Sequence, residues 1–203
     1  MLRRTIIHLT QIYFQFYSEE YCSFYQEVSA LVRSLLKRYN IKGGTFDQHF
    51  LVDANYLDRI VAAAELGPED VVLEIGAGVG NLTERLARRA KKVIAIELDP
   101  ALVNVLHDRF DNVSNIEIIS GDALKIDFPE FDKVVSNLPY SISSEITFKL
   151  LRYKFELGIL MYQYEFAARM VSPPNSKDYS RLTVDTYYFA DASIILEVPK
   201  GAF

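Results

Sequence analysis

From residue 55 onward, short apolar runs alternate with segments of helical spacing. That alternation limits the possible folds more than any single motif does. The runs "DVVLEI" (70–75), "KVIAIE" (92–97), "IEIIS" (116–120), "KVVSN" (133–137) and "LGILMYQY" (157–164) have strand length. A run that is apolar at consecutive positions suits a strand covered on both faces, the usual state in a parallel sheet. Around them lie "VSALVRSLLKRY" (28–39), "NYLDRIVAAAEL" (55–66), "NLTERLARRA" (81–90), "PALVNVLHDRF" (100–110), "SSEITFKLLRY" (143–153) and "EFAARMV" (165–171). Gly67-Pro68 closes the second of these, and Pro100 opens the fourth at its first turn. The expectation is an α/β fold with a mostly parallel seven-stranded sheet. "SPPNSKDYS" (172–180) reads as a loop, and "RLTVDTYYF" with "SIILEVP" as a C-terminal antiparallel hairpin.

Half of the 203 residues are hydrophobic, enough for one domain with a substantial core. The single cysteine, Cys22, cannot form an internal disulfide, so a cytoplasmic protein is expected. No apolar run reaches transmembrane length, and no membrane partner is expected. The net charge of −5 argues against broad electrostatic binding of nucleic acid, although a local patch can hide within it. Arg33, Lys37, Arg38 and Lys42 form one basic cluster; Arg85, Arg88, Arg89, Lys91 and Lys92 form another. Solvated helix faces are the simpler reading of both. Residues 1–27 differ in character, being crowded with aromatic and β-branched side chains. Arg3 and Arg4 precede an apolar stretch, but His8, Gln11 and Gln15 interrupt it and no clean cleavage site follows. Residues 1–27 are therefore expected to be an extension of unknown role, and 28–203 the domain.

Open α/β sheets bind ligands beyond the carboxyl ends of their strands. Four polar signals fall at such ends. "EIGAGVG" offers Gly76, Gly78 and Gly80, where backbone can approach a ligand closely. The dinucleotide fingerprint wants a glycine at position 81, and Asn81 stands there, which weakens a nicotinamide reading. Glu97 ends the second run about 20 residues after the turn, where a carboxylate can accept from ribose hydroxyls. Asp122 and its neighbour Ala123 follow "IISG", where an adenine amino group could be met. Asn137 ends the fourth run. Each alone is also an ordinary turn residue; together they outline an adenosine-shaped site.

"NLPY" (137–140) then fits the acceptor of a methyl group. An adenine amino nitrogen is a poor nucleophile, because its lone pair is delocalised into the ring. Hydrogen bonds from its N–H groups to the Asn137 side-chain oxygen and a backbone carbonyl favour a pyramidal nitrogen. That is electrostatic preorganisation. Pro139 fixes the local backbone and keeps Leu138 extended. Tyr140 offers a face for base stacking.

The ordered set "QHFLVD", "EIGAGVGNLT", "ELD", "GDAL", "SNLPYSIS" and "SKDYSRL" resembles the ribosomal RNA adenine dimethyltransferases, in particular those of the small subunit. The resemblance spans roughly residues 30–203. It implies a Rossmann-like class I methyltransferase fold with S-adenosylmethionine as methyl donor and no metal. It implies as substrate two adjacent adenines in a hairpin of small-subunit ribosomal RNA, on RNA or a pre-ribosomal small subunit; a monomer is expected. By resemblance, Gln48, His49, Leu51, Gly76, Gly78, Glu97, Asp122, Ala123 and Asn137 contact the cofactor. Asn137, Leu138, Pro139 and Tyr140 form the target-base pocket, and Phe203 closes on the base from the other side. The sequence departs from the family at the approach to Gln48, at His49 and at Tyr164. The family also continues into a helical C-terminal domain that is absent from these residues. Two alternatives stay open: a truncated, non-catalytic assembly factor, and a large-subunit methyltransferase of the antibiotic-resistance type. Methylation of glutamine or DNA adenine is less well matched, because such sites carry proline where Leu138 stands.

Overall fold

The structure is a computed structural model that describes residues 5–11, 30–39 and 50–203. Seven strands form one sheet: β1 (Thr5–Gln11), β2 (Val71–Ile75), β3 (Lys92–Glu97), β4 (Ile116–Ser120), β5 (Lys133–Asn137), β6 (Leu157–Met161) and β7 (Ala190–Glu197). The helices are α1 (30–38), α2 (Ala54–Ala63), α3 (Asn81–Ala87), α4 (Pro100–Phe110), α5 (Ser143–Leu150), α6 (Tyr164–Met170) and α7 (Arg181–Phe189). The strand order is β4-β3-β2-β5-β6-β1-β7, and every pairing is parallel.

The chain moves outward from β2 to β4 on one side and restarts at β5 on the other. The switch point therefore lies between β2 and β5, the place where open α/β sheets form a crevice. Strand side chains alternate between two packing layers, as the period of two requires. Val72, Val93, Val135 and Ile159 pack with Leu57 and Ile60 of α2 and Leu86 of α3. Leu73, Ile94, Val134 and Leu160 pack with Ile146 and Leu150 of α5 and Phe166 of α6. Each fully buried aliphatic side chain of this kind stabilises by roughly 1.5–3 kcal/mol. Helix α1 lies over α4 through Val32, Leu35, Leu102 and Val105.

One expectation is corrected. "RLTVDTYYF" is helix α7, so the antiparallel hairpin does not form. A capping box starts the helix: the Ser180 N–H donates to Thr183 Oγ1 at 3.1 Å. Its buried positions are Leu182, Thr183 and Thr186, a helical stripe; Val184, which made the segment look alternating, is 45% exposed. Part of residues 1–27, expected to be an extension of unknown role, is also described. Their segment Thr5–Gln11 is an interior strand, pairing with β6 from Ile6↔Leu157 to Thr10↔Met161 and with β7 on its other side.

The carbonyl of Ala202 accepts the N–H groups of Val52 (2.9 Å) and Asp53 (3.1 Å), which ties residues 200–203 beneath the start of α2. A second buried tie holds the segment after "NLPY". Thr147 Oγ1 donates to the Ser143 carbonyl at 2.6 Å, so the Tyr162 hydroxyl, 2.7 Å away, is the donor to Thr147. Both side chains are buried. Tyr162→Phe is expected to cost about 1 kcal/mol of stability, measurable as a lower denaturant midpoint at unchanged slope.

Candidate functional site

A cleft opens at the switch point, beyond the carboxyl ends of β2, β3, β4 and β5. It is lined by Leu51, Gly76, Gly78, Glu97, Asp122, Ala123, Asn137, Leu138, Pro139 and Tyr140, among others. Those ten were all expected as site residues. Gln48 and His49 lie outside the described residues, as does Lys42. Phe203 is not among the residues lining the cleft; it packs against the cluster that contains Leu51 and Leu57.

The glycine turn and the "NLPY" turn touch. Gly76 has φ +75°, and a Cβ built there would sit 3.1 Å from Pro139 Cδ. The turn needs glycine for its backbone conformation and for this approach. Gly76→Ala is expected to push the two turns apart and to lower ligand affinity at least about tenfold, with the strain costing roughly 1–3 kcal/mol. A titration of S-adenosylmethionine by calorimetry reads the first effect and thermal unfolding the second. At Gly78, with φ +61°, the Phe50 ring stands 3.1 Å from the same virtual atom.

Glu97 organises the turn. Its Oε2 accepts the Gly78 N–H at 2.8 Å, and its Oε1 accepts the N–H groups of Leu98 and Asp99 at 2.9 Å each. Burial raises its carboxyl above the usual range, and the three N–H donors oppose that shift. Asp122 is the contrary case. The Leu124 N–H bonds its Oδ1 at 3.0 Å and Lys125 lies 3.2 Å from Oδ2, so its carboxyl is held below the usual range. Asn137 ends β5 opposite Met161 of β6, and Ser136 beside it accepts the Ile75 N–H at 2.8 Å. Thus β2 and β5 are tied together immediately before both turns begin. The basic residues of the α3 region are largely neutralised: Arg85 pairs with Asp58, Arg88 with Glu84, Lys91 with Glu69 and Lys92 with Glu117. This fits the simpler reading of that cluster.

The sequence of the ribosomal RNA adenine dimethylase family matches residues 40–203. The chain belongs to that family. It is 85% identical over 173 residues to the probable ribosomal RNA small subunit methyltransferase A of Methanosarcina acetivorans, covering 85% of this chain and 64% of that protein. The corresponding protein of Pyrococcus abyssi is 47% identical over 170 residues, with 83% and 63% covered. The chain thus spans slightly under two thirds of the curated relatives it matches. Among solved structures, a dimethyladenosine transferase from Plasmodium falciparum matches with a TM-score of 0.64 and 41% identity, over 68% of this chain and 52% of that one. The 23S rRNA methyltransferase ErmE matches with a TM-score of 0.58 and 37% identity, over 68% and 57%. The fold is the Rossmann-like class I methyltransferase fold.

In this dimethylase-family cleft, three residues went unread in the sequence. Phe50 lies within "QHFLVD" yet its contact with Gly78 needs the folded chain. Asn81 marked only a missing glycine; its Nδ2 donates to the Leu51 carbonyl at 3.2 Å and so holds the chain entering α2 against α3. Glu74 did leave a signal, as the one acid inside an otherwise apolar run. It is 2% exposed, it lines the cleft, and its Oε2 has no hydrogen-bond partner among the described residues. Burial and the charge of Glu97 push its carboxyl up to about 8, against a smaller opposing effect of the Thr83 hydroxyl. An acid raised in the folded state binds more protons there than when unfolded, between its unfolded value near 4.5 and about 8. Stability is therefore expected to fall as pH rises through that window, the reverse of a salt-bridged carboxylate. Glu74→Gln is expected to flatten that fall, as denaturant titrations from pH 5 to 9 would show.

Among the described residues, no helix is long and apolar enough to cross a membrane.

Proposed function

We propose that residues 28–203 are the catalytic domain of an S-adenosylmethionine-dependent dimethyltransferase acting on the exocyclic amino groups of two adjacent adenines in small-subunit ribosomal RNA. The contact of Gly76 with Pro139 carries this reading. It sets a glycine turn suited to a cofactor directly against a turn suited to an adenine acceptor. The small-subunit target is supported by the names of the relatives from Methanosarcina acetivorans and Pyrococcus abyssi.

The cleft fits the cofactor on its own terms. Gly76 and Gly78 leave backbone exposed where any side chain would fill the space. Glu97 keeps lone pairs beyond its three backbone bonds, and these suit ribose hydroxyls. Asp122 and Ala123 stand at the next strand end for the adenine, and Leu51 closes the apolar side. When bound, S-adenosylmethionine supplies an electrophilic methyl group. Asn137 accepts from the target amino group and orients its lone pair. Pro139 keeps the turn rigid, Leu138 packs beneath it and Tyr140 stacks on the base. Extruding a base costs a few kcal/mol, and stacking on Tyr140 offsets part of that cost.

The test supplies the chain with methyl-labelled cofactor and unmodified small subunits, then maps the label. Label on two adjacent adenines of the small-subunit RNA is expected. Label confined to large-subunit RNA, or none despite tight cofactor binding, would overturn the proposal for this chain.

A further inference from the structure

Lys149 sits in the last turn of α5, the helix that follows the 3-10 turn Tyr140–Ile142 without a break. Its Nζ donates to the Ala123 carbonyl at 2.8 Å and to the Ile126 carbonyl, and stands 4.3 Å from the centroid of the Phe128 ring. Both carbonyls belong to the single turn that follows β4. In that turn the N–H groups of Lys125 and Ile126 bond back to the Asp122 carbonyl at 2.8 and 3.1 Å. A turn of this kind leaves later carbonyls without partners, and a cation at that end satisfies them. The ring face favours the same cation. One side chain thus spans from the helix behind the "NLPY" turn to the loop that carries Asp122 and Ala123.

We propose that Lys149 is a positioning residue that fixes the Asp122–Ala123 loop relative to the acceptor turn 137–140. Adenosine-side recognition and base-pocket geometry are then set by one shared tether. The inference rests on the function proposed above, in that the loop is taken to meet the adenosine end of the cofactor. Its tether is distinct from the buried Tyr162–Thr147 bond, which ties the middle of α5 to the residue that follows β6. Lys149 touches neither reactant, and its influence passes through the loop. The charge of Lys149 also helps hold the Asp122 carboxyl below its usual range, though less than the Leu124 N–H does.

Lys149→Met keeps the aliphatic stem and removes the charge and the donors. Calorimetry on the full chain should show S-adenosylmethionine bound roughly tenfold more weakly, as loss of two charge-assisted bonds would give. 5′-Methylthioadenosine, which lacks the amino-acid end, should weaken by the same factor, leaving the ratio of the two affinities unchanged. Hydrogen exchange should rise at residues 121–126 and stay unchanged in β2 and β3. Lys149→Arg, which restores donors and charge, should recover most of the affinity. Equal affinities in parent and Lys149→Met would overturn the assignment, as would a rise in exchange across the whole sheet. If Lys149→Met does not fold, Lys149→Gln, which keeps one donor group, takes its place, and parental affinity there overturns the assignment equally. A parent chain that binds neither ligand would instead refute the proposed function, so the two failures are distinguishable.

Discussion

Asn137→Ala is expected to cut the single-turnover rate of methyl transfer by at least about a hundredfold, the usual effect of losing one preorganised polar contact in an active site. The fold should survive, because the strand that carries Asn137 is held by neighbours that the substitution leaves intact. Ser136 still accepts the Ile75 N–H at 2.8 Å, and Lys133 through Ser136 still pair with Leu157 through Leu160. Thermal unfolding within a few degrees of the parent, together with the rate loss, separates a chemical role from a structural one. A rate within a few fold of the parent would leave Asn137 as the last residue of a strand and no more. If the parent shows no turnover, the same substitution belongs in a longer relative.

The parts of this fold legible in the sequence are those where a residue's environment follows from its neighbours along the chain. Strands β2, β3, β5 and β6 are apolar at consecutive positions because helices cover both faces of the sheet. Glycine turns and acids at strand ends are legible for the same reason: the end of a parallel strand is a fixed place in the fold. Helix α7 was not legible. Leu182, Val184 and Thr186 alternate with polar residues, and only the cap at Ser180 and the packing of Leu182 against the core reveal the helix. Strand β1 was hidden differently. Its partners are about 150 residues away in β6 and about 185 away in β7, and no local pattern announces a pairing of that range. The same division runs through the site. Gly76, Glu97, Asp122 and Asn137 could be placed by position. Asn81, Phe50 and Lys149 could not, because each acts on a segment distant in sequence. Phe203, which the resemblance placed at the target base, packs against the cluster that contains Leu51 and Leu57.

Glu97→Ala is expected to weaken S-adenosylmethionine binding by roughly 1.5–3 kcal/mol, about ten- to a hundredfold. The structure adds a second reason to the ribose contact. The carboxylate accepts from Gly78, Leu98 and Asp99, so it also holds the glycine turn in its binding conformation. Glu97→Gln separates the two contributions. It keeps one oxygen for Leu98 and Asp99, but its amide nitrogen would face the Gly78 N–H, donor against donor. An affinity as low as that of Glu97→Ala would show that the turn dominates; an intermediate value would assign most of the effect to the ribose. A pH series supplies an independent check. Burial raises the Glu97 carboxyl above the usual range, and only the ionised form accepts at both oxygens. Affinity in the parent should therefore strengthen as pH rises through that raised value and then level off, while Glu97→Ala loses this dependence. Calorimetry on the folded parent from acid to neutral pH would show it, and a parent affinity that does not change while Glu97 titrates would remove Glu97 from the cofactor site.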